Sequence, residues 1–101
     1  MKIKLIILAA VLLFAEASAQ RQKIIFDCDL GDDIDDAFAL AMLLANQDKF
    51  EILGITTCYG RTEDRATLAL KFLYETAQEH IPVFIGRNTS KVNDRANWYA
   101  D

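Results

Sequence analysis

Residues 27–36 read Asp27-Cys28-Asp29-Leu30-Gly31-Asp32-Asp33-Ile34-Asp35-Asp36. Six carboxylates fall within these ten positions, and no Lys or Arg lies between Lys23 and Lys49. Two like charges about 4 Å apart repel by roughly 4 kcal/mol at an effective dielectric near 20. A chain that concentrates acids directly after an apolar run therefore calls for a cation, and carboxylate oxygens are hard ligands suited to Ca²⁺ or Mg²⁺. Gly31 lets the backbone turn tightly inside the cluster. Solvation and helix capping account for Asp32 and Asp33. They do not account for Asp27 and Asp29, one of which must be partly buried at the end of the apolar run.

The elements that must position these acids follow from hydrophobic patterning. Residues 23–28 form a short apolar run ending in acid, which reads as a buried strand. Residues 33–46 read as a helix, apolar nearly all round from Ala37 to Leu44 and so buried on most sides. Asp32 or Asp33 is its expected N-cap, and the following acids suit the helix dipole. A second strand is predicted over 51–57. A second helix is predicted over 62–79, with Ala66, Ala69, Leu70, Leu73 and Ala77 on its inner face. A third strand is predicted over 82–85, closed by Gly86. The order β-α-β-α-β implies an α/β fold with an open parallel sheet and helical crossovers. In such sheets ligands bind at the C-terminal edge of the strands, where the acids lie.

The chain has 101 residues, 52% apolar and 26% charged, with four Gly and one Pro. This is the mix of one folding domain, neither disordered nor collagen-like. The net charge of −4 argues against a nucleic-acid or anionic-membrane partner. Residues 1–19 have the layout of a secretory signal peptide: Lys2 and Lys4, an apolar run over 5–14, and a small-x-small site at Ala17-Ser18-Ala19. The expectation is export, periplasmic or secreted, with residues 20–101 as the mature part and no membrane contact after cleavage. That part carries nine basic and fourteen acidic residues. Cys28 and Cys58 both fall near strand ends and are expected as free, buried thiols. Three strands and two helices leave sheet faces and edges open, so residues 20–101 read as the N-terminal part of a larger domain. The competing reading is a small complete domain that dimerises through its sheet.

Known acidic motifs narrow the chemistry. An EF-hand loop needs Gly at its sixth position and Glu at its twelfth. Counted from Asp27 those positions hold Asp32 and Phe38, and from Asp29 they hold Ile34 and Leu40. A Mg²⁺-dependent haloacid-dehalogenase-like phosphohydrolase also begins with a strand and Asp-x-Asp, which would make Asp27 or Asp29 a nucleophile. It wants a small hydroxyl residue just after, where this chain has Leu30-Gly31. The pattern that fits is that of the inosine-uridine-preferring nucleoside hydrolases, whose signature is a strand followed by Asp-x-Asp-x-Gly-x-Asp-Asp-Ala at the start of a helix. Residues 27–37 resemble a longer variant, with Asp33 and Ile34 as an inserted pair. Leu53-Gly54-Ile55-Thr56-Thr57 with Gly60, and Ile81-Pro82-Val83-Phe84-Ile85-Gly86, are similar to the family's second and third strands.

The resemblance implies a nucleoside hydrolase-like, Rossmann-like sheet, here incomplete, and Ca²⁺-assisted cleavage of the N-glycosidic bond of ribonucleosides. It implies that Asp29 binds Ca²⁺ and accepts a proton from the bound water. Asp36 is then a second metal ligand, Asp35 accepts a hydrogen bond from the ribose 2′-hydroxyl, and Asp27 supports the metal site. The inserted pair leaves Asp33, Asp35 and Asp36 competing for these roles. Arg61 stands where the family has a ribose-contacting Asn, which makes it the substrate-binding candidate that departs from the pattern. The resemblance also implies a homo-oligomeric full-length protein, with a further metal-ligating Asp and a His from farther along the chain. Residues 20–101 alone are therefore expected to be inactive, and a non-catalytic truncated product is the non-enzyme alternative. His80 is read as a surface residue, Trp98 and Tyr99 as ordinary packing, and Arg65 and Arg87 as solvated.

Overall fold

A computed structural model describes residues 20–89, together with Met1 and Ile3. The signal-peptide reading, and the reading of Trp98 and Tyr99, lie outside the described residues. The elements run β1 (Gln22–Cys28), α1 (Asp35–Ala45), β2 (Phe50–Thr57), α2 (Thr62–Glu75) and β3 (Val83–Phe84). The three strands form one parallel sheet in the order β1-β2-β3, as the alternating pattern predicts.

The pairing of β1 with β2 is not uniform. Ile24 lies opposite Ile52, but Ile25 lies opposite Gly54, so Leu53 is an extra residue that bulges from the ladder. The bulge explains how Ile52 and Ile55, three positions apart, both face inward. A regular strand would place them on opposite faces. Phe26, Cys28, Ile52, Ile55 and Val83 join Leu40 and Leu44 of α1 and Ala69 and Leu73 of α2 in one core, closed by Leu30 and Ile81. Both helices thus pack on one face of the sheet. The other face presents Ile25, Leu53 and Phe84, all exposed.

Two helix boundaries and the burial of α1 differ from the patterning. Helix α1 starts at Asp35, and its N-cap is Ile34, with no side-chain cap, rather than Asp32 or Asp33. Those two acids are drawn into a turn in which the Asp32 N–H donates to the Asp29 carbonyl at 3.1 Å. Helix α1 is also less buried than its composition suggests. Only Leu40 is fully covered, while Phe38 and Met42 stand in solvent, 65% and 68% exposed. Helix α2 ends at Glu75, four residues early, because Ala77 takes a left-handed conformation (φ 54°). The Gln78 N–H then reaches the Leu73 carbonyl (2.8 Å) and the Ala77 N–H reaches that of Tyr74 (3.1 Å), a Schellman closure. Ala77 is thus exposed beyond the helix, and Leu70, inside it, is also exposed, whereas Ala66, Ala69 and Leu73 are buried as the spacing requires.

The C-terminal edge of the sheet is fastened by two buried threonines. The Gly86 N–H donates to Thr57 Oγ1 (3.3 Å), and the Thr57 hydroxyl donates to the Thr62 carbonyl (2.9 Å). The Thr62 hydroxyl in turn donates to the Gly86 carbonyl (2.8 Å). This ring joins the ends of β2 and β3 to the start of α2. A Cβ built on Gly86 would stand 1.9 Å from the Thr57 carbonyl oxygen, so this approach admits glycine alone.

Candidate active site

All six acids of residues 27–36 gather around the end of β1 and the start of α1, but they are not equivalent. Asp27 is the last outward-facing residue of β1. Its exposed carboxylate accepts a 2.6 Å hydrogen bond from the Thr56 hydroxyl, which comes from the paired position of β2. Asp29, one residue beyond the strand, is half-buried. Its backbone N–H donates to Asp36 Oδ2 at 2.8 Å, which brings the two acids together. Gly31, in the left-handed region (φ 95°), turns the chain between them. Asp35 is exposed and accepts the Asp36 N–H at 3.0 Å. Asp32 borders solvent and Asp33 lies in it.

Of the residues singled out from sequence, Asp29 and Asp36 are thus brought into contact, with Asp35 beside them at the first turn of α1. Asp27 is engaged instead by Thr56. Among the described residues, no three His, Cys, Asp or Glu side chains close on a point that would hold a metal ion. Asp29 and Asp36 are the residues here that could contribute oxygens to a bound cation. Burial raises the Asp29 pKa above the ordinary carboxylate range, and the hydrogen bond and charge of Asp36 raise it further. The nearby Arg65 charge works in the opposite direction. Two hard acids held together at a cost to ionisation are the donor set a divalent cation would relieve.

Cys28 and Cys58 are both free thiols. Cys28 is buried, and burial pushes its thiol up to about 11. Cys58 is half-buried, against the expectation of full burial. Its pKa is also raised, by burial and then by the charges of Asp27, Asp29 and Asp36, which places it beside the acids. Arg61 follows Gly60 at the start of α2 and is exposed, its Nε 2.7 Å from Asp64 Oδ2. His80 is exposed in the turn before β3, at the edge of the sheet away from the acids. A cavity of about 230 Å³ lies behind the acidic loop. Leu30, Ile34, Ala37, Leu68 and Phe72 supply its apolar wall, and neither Asp29 nor Asp36 lines it.

The reading of Arg65 needs correction. It is not solvated: it is fully buried, the largest fully buried side chain among the described residues. Its Nη1 donates to the carbonyls of Asp29 and Leu30, the latter at 3.0 Å, and its Nε donates to the Tyr59 carbonyl at 2.7 Å. The signal was present in the spacing. Thr62, Arg65, Ala66, Ala69 and Leu73 share the inward stripe of α2.

No curated protein and no solved structure matches this chain. The family model for inosine-uridine preferring nucleoside hydrolases matches residues 24–99, a span that runs from within β1 through β3 and takes in the whole acidic loop. With that match over three-quarters of its length, and with the loop's acids poised at the C-terminal edge of a parallel sheet, the chain belongs to the inosine-uridine preferring nucleoside hydrolase family.

Proposed function

We propose that this protein hydrolyses the N-glycosidic bond of ribonucleosides to free base and ribose, with the Asp29–Asp36 pair contributing two ligands to a Ca²⁺ site. The observation that carries the reading is the hydrogen bond from the Asp29 backbone N–H to the Asp36 carboxylate, made within a loop that the family model covers. Ca²⁺ held there would supply a water of lowered pKa. Asp29 would be a general base of suitable type for that water. Asp35, exposed at the first turn of α1, is placed to accept the 2′-hydroxyl of a ribose. The clustered negative charge favours the oxocarbenium-like sugar that forms as the base departs. Arg61, at the same edge of the sheet, borders the sugar where the family carries Asn.

Ca²⁺ takes six to eight oxygens, and two carboxylates fall well short. Residues 20–101 by themselves are therefore expected to release no measurable ribose. We further propose that the protein acts after export, as a homo-oligomer, with Gln20 as its first residue.

The test is ribose release from inosine and uridine by the protein expressed from its complete reading frame. Asp29→Asn should lower turnover at least 100-fold even at saturating Ca²⁺, since it removes the base as well as a ligand. Asp36→Asn should be partly rescued by added Ca²⁺, because weakened binding responds to mass action. Asp35→Asn should penalise ribonucleosides more than 2′-deoxynucleosides. Equal and fully rescued losses in all three variants would refute this division of roles.

A further inference from the structure

A guanidinium is an expensive group to bury, and even a fully hydrogen-bonded one is often replaceable by an apolar side chain of similar volume. Arg65 stands on the inner stripe of α2 among Ala66, Ala69 and Leu73, where such a side chain would pack. An apolar residue would not grip backbone carbonyls on two separate loops. Arg65 does so: Asp29 and Leu30 belong to the loop after β1, and Tyr59 belongs to the loop after β2. The Tyr59 ring also lies under the guanidinium, with its centroid 5.6 Å from Cζ. Tyr59 has φ 62°, a left-handed conformation that a non-glycine residue keeps only when its surroundings hold it there.

The Asp29 carbonyl is held by Arg65 and its N–H by Asp36, so both flanking peptide groups are tied and the direction of its side chain is set. We propose that Arg65 is a positioning residue, which fixes the backbone of Asp29 so that the Asp29 and Asp36 carboxyl groups stand together before any ligand arrives. Ordering a backbone residue carries an entropic cost. With Arg65 in place that cost falls on folding and not on binding, which is the general route to tighter binding without new contacts. The consequence for cation binding rests on the metal-site reading of the pair; the clamp itself does not.

The experiment compares the full chain with Arg65→Met, which keeps the stem and loses the donors, and Arg65→Lys, which keeps a charge and can reach one carbonyl. Leu73→Ala serves as a control that weakens the core elsewhere. Amide hydrogen exchange is followed in metal-free protein, and Ca²⁺ affinity is measured by calorimetry. In Arg65→Met the amides of Asp29 and Asp32 should exchange at least tenfold faster relative to those of β1, with Arg65→Lys intermediate. Leu73→Ala should raise exchange evenly. Ca²⁺ affinity should fall tenfold or more in Arg65→Met and less in Arg65→Lys. Exchange that rises only in step with β1, or a Lys variant no better than Met, would overturn the proposal. If Arg65→Met does not fold, Arg65→Lys decides alone, a local rise supporting the clamp and an even rise refuting it. Wild-type protein that binds no Ca²⁺ would refute the metal reading, while exchange still decides the clamp.

Discussion

At the scale of single residues, the Asp29–Asp36 contact has a thermodynamic signature of its own. The folded state raises the Asp29 pKa above its unfolded value, so between the two values the native protein binds more protons than the unfolded chain. Stability from this group is therefore lost as pH rises through the shifted value and regained as pH falls through it. In metal-free protein, the melting-temperature difference between wild type and Asp29→Asn should favour the variant at pH 7. It should shrink on acidification toward the ordinary carboxylate pKa. A difference independent of pH would mean that the two carboxyl groups do not interact. Ca²⁺ binding should run the opposite way and weaken as pH falls, because proton and cation compete for the same oxygens. At this scale the sequence was legible for the acids and misleading for Arg65. Carboxylates announce themselves by density. A buried arginine is hidden by the base rate that arginines are solvated, and only its place in the helical stripe betrays it.

At the scale of elements, the order and type of all five were readable from hydrophobic period, whereas their ends were not. The end of α2 depends on an alanine adopting a left-handed backbone, which composition does not favour. Ala77→Gly should thus stabilise the fold by about 0.5–1 kcal/mol, read as a rise in denaturation midpoint at unchanged slope. A loss of stability would show that the closure depends on the alanine methyl group. Gly86→Ala should act in the other direction. Its Cβ cannot coexist with the Thr57 carbonyl, so the end of β3 must move away from β2 and break the threonine ring. The expected cost is about 2–3 kcal/mol, comparable to overpacking a core. The start of α1 was misjudged because Asp32 and Asp33, good caps by type, serve a turn that the acidic loop requires more.

At the scale of the molecule, two features are linked. The helices cover one face of the sheet and leave Ile25, Leu53 and Phe84 bare on the other, although parallel sheets are as a rule covered on both. Sequence patterning anticipated this openness, since two crossovers cannot cover both faces of three consecutive strands. Apart from Asp27, which ends β1 on the bare face, the acids lie beyond the strand end, and the loop that holds them is anchored from the covered side, through Leu30 in the core and Arg65 on α2. Cation binding at the loop should therefore report on the whole fold. CaCl₂ should raise the melting temperature where NaCl of equal ionic strength does not, by an amount that grows as RT ln(1 + [L]/Kd), about 2.7 kcal/mol at a hundredfold excess over Kd. An equal response to both salts would mean that only screening is at work.

The bulge at Leu53 gives the chain one residue more than the sheet uses. With Leu53 removed, Gly54 still lies opposite Ile25 and Thr56 opposite Asp27, now in an unbroken ladder. Deletion, ordinarily the harshest of mutations in a strand, should at this position leave the register, the core and the Thr56–Asp27 hydrogen bond in place. Deleting Gly54 instead would put Leu53 where a Cβ would stand 2.9 Å from the Phe84 ring. Deleting Ile55 would put Gly54 opposite Phe26 and leave the space of a fully buried side chain empty in the core. Three adjacent one-residue deletions should thus span the range from a folded protein to an unfolded one, and length changes among relatives of this chain should accumulate in β2 at the bulge and nowhere else in the strand.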